Sequence, residues 1–141
     1  MTREPIYAGL FGLMAALPGV VTASRSLRHW ADVPAEQQPA LFMAQQSEQP
    51  QTRTGQPPAW TLSVDIYVYC RAVAGLPPAA VLNPILDAIE GAFVLHPITG
   101  KHTLPGIDGV EWARIDGAIE TDEGTLGDQT VAIIPIRILA T

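Results

Sequence analysis

The side chains with chemistry to offer are few, and most are carboxylates close to the end of the chain. The stretch from Ile115 to Leu139 sets two apolar, strand-like runs around a loop that carries Asp116, Glu120, Asp122, Glu123 and Asp128. Paired carboxylates can hydrolyse a bond when an apolar pocket raises the pKa of one of them. No apolar residue lies between Ile119 and Leu126 to build that pocket. A calcium loop of the EF-hand kind would need an Asp-x-Asp-x-Asp-Gly run, which is missing. No His, Cys or Lys stands among the acids to work with them. What remains is a charged strand face and turn that displays negative charge.

The other candidates are weaker. His29, His96 and His102 are the only histidines, and none has acids placed for a shared metal ion. They read as solvated loop residues. Thr99-Gly100-Lys101 faintly suggests a phosphate loop, but the first glycine of such a loop is absent. Cys70 is the sole cysteine, so an intrachain disulfide is impossible; it ends an apolar strand pattern and reads as a buried thiol. No catalytic, cofactor-binding or metal-binding residue is assigned, no cofactor is expected, and the chain does not read as an enzyme.

The elements that position these residues follow from periodicity. Thr2 can cap a helix starting near Pro5, on which Ile6, Leu10, Leu13, Met14 and Leu17 keep helical spacing until Pro18-Gly19 ends it. Gly9 and Gly12 weaken that helix alone and imply close support from a sheet. Short strands are expected at 20–25 and 40–46, separated by an irregular stretch. Residues 45–58, rich in glutamine and proline, are expected to form a long mobile hairpin loop. Trp60 to Cys70 alternates cleanly: Trp60, Leu62, Val64, Ile66, Val68 and Cys70 on one face, Thr61, Ser63, Asp65, Tyr67 and Tyr69 on the other. The tyrosine face can be wet or can touch a partner. A second helix carries Leu82, Ile85, Leu86, Ile89 and Phe93. It starts either near Pro78 with a bend or at Pro84 behind an Asn83 cap. The last two strands, 110–120 and 129–139, would be joined by the acidic loop. Pro135 must turn its missing donor toward an edge or bulge. The order α-β-β-β-α-β-β predicts an α+β fold: a mostly antiparallel sheet of about five strands with two helices on one face.

Composition sets the outer bounds. The chain has 141 residues, 48% of them hydrophobic, and a formal charge of −6, which suits one domain over 1–141 and disfavours a nucleic-acid-binding surface. The charge is polarised. Residues 108–128 hold seven acids and one base, whereas residues 1–30 hold three bases and one acid. This distribution either lets copies meet with opposite signs facing or is ordinary solvated surface. The apolar run from Ile6 to Val21 is broken by glycine and proline and is too short to cross a bilayer. A soluble, cytosolic product with no membrane association is expected. Arg28-His29-Trp30 is a compact triplet of the kind enriched at interfaces, although Trp30 can equally tuck onto its own core. Arg25, Arg28, Trp30, Tyr67 and Tyr69 are the candidate subunit or partner contacts.

Several stretches together resemble the tail terminator, or tail completion, proteins of long-tailed phages, the lambda-like terminators. They are the opening Arg3-Glu-Pro-Ile-Tyr-Ala-Gly-Leu-Phe; Ser24-Arg-Ser-Leu-Arg-His-Trp with Asp32-Val-Pro-Ala-Glu-Gln-Gln-Pro-Ala-Leu-Phe; Trp60-Thr-Leu; and the closing Glu120-Thr-Asp-Glu-Gly-Thr-Leu-Gly-Asp-Gln-Thr-Val-Ala-Ile-Ile-Pro-Ile. The resemblance implies an α+β domain and a non-catalytic virion role in the neck region, reached from the host cytoplasm during assembly. It implies a homo-oligomer, a hexameric ring, that caps the head-proximal end of the tail tube, stops its polymerisation and joins the tail to the head. The implied partners are the major tail tube protein and a head–tail connector or stopper, with DNA passing the lumen without specific binding. Glu120, Asp122, Glu123 and Asp128 are then the candidates to face the channel. The alternatives are another ring-forming neck or tail protein, such as a stopper or tube subunit, and a small enzyme or ligand-binding domain.

Overall fold

Alternation of apolar and polar residues builds the centre of the molecule, and proline decides where its edges fall. The computed structural model describes residues 1–141 apart from the side chain of Leu126. In chain order the elements are α1 (Arg3–Ala15), β1 (Thr22–Ser24), β2 (Ala40–Arg53), β3 (Gln56–Arg71), α2 (Pro78–Ala92), β4 (Val94–Leu95), β5 (His102–Thr103), β6 (Val110–Ile115), β7 (Glu120–Leu126) and β8 (Gln129–Ala140). The main sheet runs β1-β2-β3-β8-β6, with β7 also on β8; β4 and β5 form a separate small hairpin. Only β1 runs parallel to its neighbour; the other ladders are antiparallel. The expected α+β class and the two helices are thus present.

Strand β3 shows why the sheet holds. Leu62, Val64, Ile66, Val68 and Cys70 are buried on the face predicted from their spacing. They meet Ile6, Leu10 and Met14 of α1, Leu82, Ile85 and Ile89 of α2, and Ile134, Ile136 and Ile138 of β8 in one core. Burying each such side chain contributes about 1.5–3 kcal/mol. Both helices therefore lie on one face. Helix α2 starts at Pro78, so Pro84 lies inside it; lacking an N–H, Pro84 leaves the Ala80 carbonyl without its helical donor. In α1, Thr2 precedes the helix but makes no side-chain cap. A Cβ on Gly9 would sit 2.5 Å from Ile107 Cδ1. The close support expected at this glycine comes from the loop after β5 and not from the sheet.

Two expected loops are strands. The segment at 45–58, expected as a loop, forms the outer half of the β2–β3 hairpin, whose ladder runs out to Arg53 opposite Gln56. β8 ends opposite Trp60, so the hairpin beyond it is a two-stranded arm. Its prolines, Pro50, Pro57 and Pro58, fall in strands where sheet neighbours are few, the setting in which a strand tolerates a missing donor. Arg53 binds Glu111 of β6 at 2.8 Å and ties the arm back to the sheet. The acidic loop is likewise the strand β7, turning at Gly127-Asp128 into β8.

The run expected as one strand over 110–120 is divided. β6 and β7 lie end to end along the same edge of β8 and stop on either side of Pro135. The Pro135 carbonyl accepts from the Asp116 N–H at 3.0 Å. Its ring nitrogen has nothing to give, so the ladder breaks there. Gly117, at φ 126°, carries the chain across the break.

Candidate functional site

The acids that dominate the sequence are sorted by the pleat of β7. Glu120 stands opposite Ile133 and Asp122 opposite Val131, on the sheet face away from the helices. With Trp30, Thr121, Val131 and Ile133 they line a shallow depression of about 390 Å³. Glu123 falls on the opposite face, where its carboxylate accepts the Ala79 N–H at 3.0 Å. That contact places a negative charge at the N-terminus of α2, which favours it through the helix dipole. Asp128 lies in the β7–β8 turn, 3.1 Å from the Arg71 guanidinium. The four residues singled out together in the sequence therefore occupy two faces and a turn.

Asp65 joins Glu120 on the open face. Burial raises the pKa of Asp65, and the Glu120 charge raises it further. Its place on the wet face of β3 was readable from alternation; its nearness to Glu120 was not, since β8 lies between them. Asp116 is also on this side, held by Arg114 at 3.6 Å and Arg137 at 3.7 Å. Among the described residues, Asp65, Glu120 and Asp122 form no ion pair.

Four of the five candidate contact residues gather at one end of the same face. The segment before β2 folds over it and buries Val33 with Ala40, Phe42 and Tyr69, while Trp30 and Tyr67 pack at the margin. Arg28 lies 5.4 Å from the Phe42 ring centroid and donates to Gln37 at 3.1 Å. Tyr69 is 4% exposed and gives its hydroxyl to the Arg28 carbonyl at 2.7 Å. Arg25 lies apart, bound to Glu4 at 2.5 Å and to Gln45 at 3.1 Å.

This covering segment is latched from inside by residues the sequence did not flag. Gln38 and Gln129 are both buried and exchange amide hydrogen bonds of 3.0 Å each way. Gln38 also donates to the Val33 carbonyl at 2.9 Å, and Gln129 to the Cys70 carbonyl at 2.8 Å. Buried amides persist only when so satisfied. The pair is 91 positions apart, and neither residue sits in a pattern that marks it.

The remaining titratable groups are spread out. His29 accepts from the Ala31 N–H at 3.1 Å. His96 accepts from the turn amide of Ile98 at 3.2 Å, and His102 pairs with the Phe93 carbonyl at 3.0 Å. Cys70 is fully buried, and burial pushes its thiol up to about 12. Among the described residues no three His, Cys, Asp or Glu side chains are grouped to hold a metal ion. No helix is long and apolar enough to cross a membrane.

No protein-family model matches the chain, and no curated protein matches it. Solved structures do. A chain from the virion of a native gene transfer agent (GTA) particle superposes with a TM-score of 0.57 at 13% sequence identity, covering 99% of this chain and 98% of that one. A second, under a name that states no function, superposes with a TM-score of 0.51 at 16% identity, covering 100% of this chain and 96% of the other. At these identities the shared property is the fold, and it is shared from end to end.

Proposed function

We propose that the protein is a structural component of a phage-like virion and, within it, a tail terminator. In this reading a ring of six copies caps the head-proximal end of the tail tube, stops its polymerisation and offers the surface on which the head connector or stopper seats. The observation that carries the reading is the end-to-end likeness to a chain of a virion particle. The open sheet face supports it. Asp65, Glu120 and Asp122 form no ion pair among the described residues, on the sheet face away from α1 and α2. Six copies at −6 each carry about −36, and like charge keeps passing DNA from adhering to the ring. Glu120 and Asp122 then face the lumen, with Glu123 and Asp128 at the rim of the same hairpin. Arg28, Trp30 and Tyr67 form a contact patch toward a neighbouring copy or the tube, backed by Tyr69, and Arg25 a second contact beside α1.

Deleting the gene tests this directly. The expected result is tails of uncontrolled length and heads without tails; tails of normal length joined to heads would overturn the reading. The β2–β3 arm favours one second reading, because a long hairpin is also what a tube subunit uses to reach its neighbours. Negative-stain images of the purified protein separate the two: closed rings support the terminator, long tubes the tube subunit.

A further inference from the structure

Helix α2 ends in two features that complement each other. Immediately after it, the β4–β5 hairpin turns its apolar residues outward: Val94 is 50% exposed, Leu95 56% and Ile98 88%. At the other end of the helix, Ala35, Pro39, Arg71, Val73, Val81 and Asp128 line a cleft of about 270 Å³. Val73 is itself 53% exposed. The charges match as well. Lys101, at the foot of the hairpin, forms no ion pair among the described residues. Glu111 is held low first by its Arg53 hydrogen bond, and Lys101 adds only a weaker through-space pull. Asp128, at the mouth of the cleft, binds Arg71 yet leaves 62% of its side chain exposed.

We propose that the β4–β5 hairpin of one copy docks into the Arg71 cleft of the next, joining copies head to tail along the direction of α2. Ile98 fills the apolar part of the cleft, and Lys101 approaches Asp128. The two features are separated by the length of α2, about 22 Å for its 15 residues. They cannot meet within one molecule. A contact between two different patches is heterologous, so it propagates and closes into a ring when the rotation allows. The inference deepens the ring reading above, but it concerns the contact and stands or falls on self-association alone.

The test is cysteine capture in concentrated protein under copper–phenanthroline. The wild type serves as the control, because its one thiol is buried. The double variant Ile98→Cys/Val73→Cys should give a ladder of covalent oligomers. Each single variant alone should stay monomeric on the gel, and mixing the two singles should yield a dimer. Ile98→Asp removes the knob at an exposed position and should leave Tm unchanged. As a sole change it should weaken association about tenfold or more. Self-linked single variants would mean a symmetric contact and would overturn the proposal. So would the absence of a ladder, even if sedimentation still shows rings; that outcome would leave the terminator reading intact. A ladder from a protein whose deletion does not disturb tails would keep this contact and remove the terminator.

Discussion

Replacing Gln129 by leucine keeps its volume and removes the latch between the covering segment and β8. Gln129 is 1% exposed, and its amide serves Gln38, the Cys70 carbonyl and the Thr130 carbonyl at 3.0, 2.8 and 3.1 Å. In Gln129→Leu the Gln38 amide oxygen and the Cys70 carbonyl lose this donor, and Gln38 Nε2 loses one of its two acceptors. Each orphaned buried group costs about 1–3 kcal/mol, so the variant should lose about 2–4 kcal/mol after leucine returns part of the deficit as apolar burial. For a chain of this size that lowers Tm by roughly 6–15 °C. Urea denaturation followed by circular dichroism gives the free energy, and tryptic cleavage after Arg28 reports whether the segment has come loose. The double variant Gln38→Leu/Gln129→Leu should cost less than the two single losses added, by about 1–2 kcal/mol, because both halves of the pair leave together. A single variant within about 0.5 kcal/mol of wild type, or strict additivity in the double, would refute the reasoning.

Other perturbations probe the helices, the strand break and the acidic face. Glu48 binds Arg3 at 2.6 Å and Tyr7 at 2.8 Å, and its carboxyl is held below the ordinary range, first by the Arg3 hydrogen bond. A depressed folded pKa stabilises above the unfolded value of 4.5, and the gain is lost as pH falls through the folded value. Glu48→Gln should therefore cost under about 1 kcal/mol at neutral pH, since the pair is partly solvated, and nothing in strong acid; an equal cost at both pH values would refute this. Gly117→Ala forces a Cβ to 3.1 Å from Pro135 Cγ at a φ of +126°. It should destabilise by about 1–3 kcal/mol in denaturant melts, and an unchanged midpoint would show that the crossing carries no strain. Glu120→Gln/Asp122→Asn should leave the unfolding free energy within about 0.5 kcal/mol of wild type, because both side chains are exposed, and on the proposed ring reading should slow DNA ejection from reconstituted particles; unchanged ejection would count against a lumen position for these acids.

What the sequence disclosed is what periodicity can carry. β3 was legible because one of its faces is core and the other is not, and α2 because Leu82, Ile85 and Ile89 repeat at helical spacing. The arm and β7 escaped because strands exposed on both faces have no alternation to show: Gln45, Gln46, Gln49 and Gln51 look like loop residues, as do Asp122 and Glu123. The prolines that argued for a loop were marks of sparsely paired strands. For the site, the acids themselves were visible and their sorting was not. Glu123 goes to the start of α2, and Asp128 to Arg71, through contacts 44 and 57 positions distant in the chain. The Gln38–Gln129 latch follows from the sheet register and could not be inferred without it.

The interruption at Pro135 divides the outer rail of β8 into two pieces with separate supports. β6 is pinned by Arg53 and by the core beneath Ala113, whereas β7 hangs on β8 and on one carboxylate at the start of α2. A substitution that loosens the acidic hairpin is therefore expected to leave the β6 ladder in place.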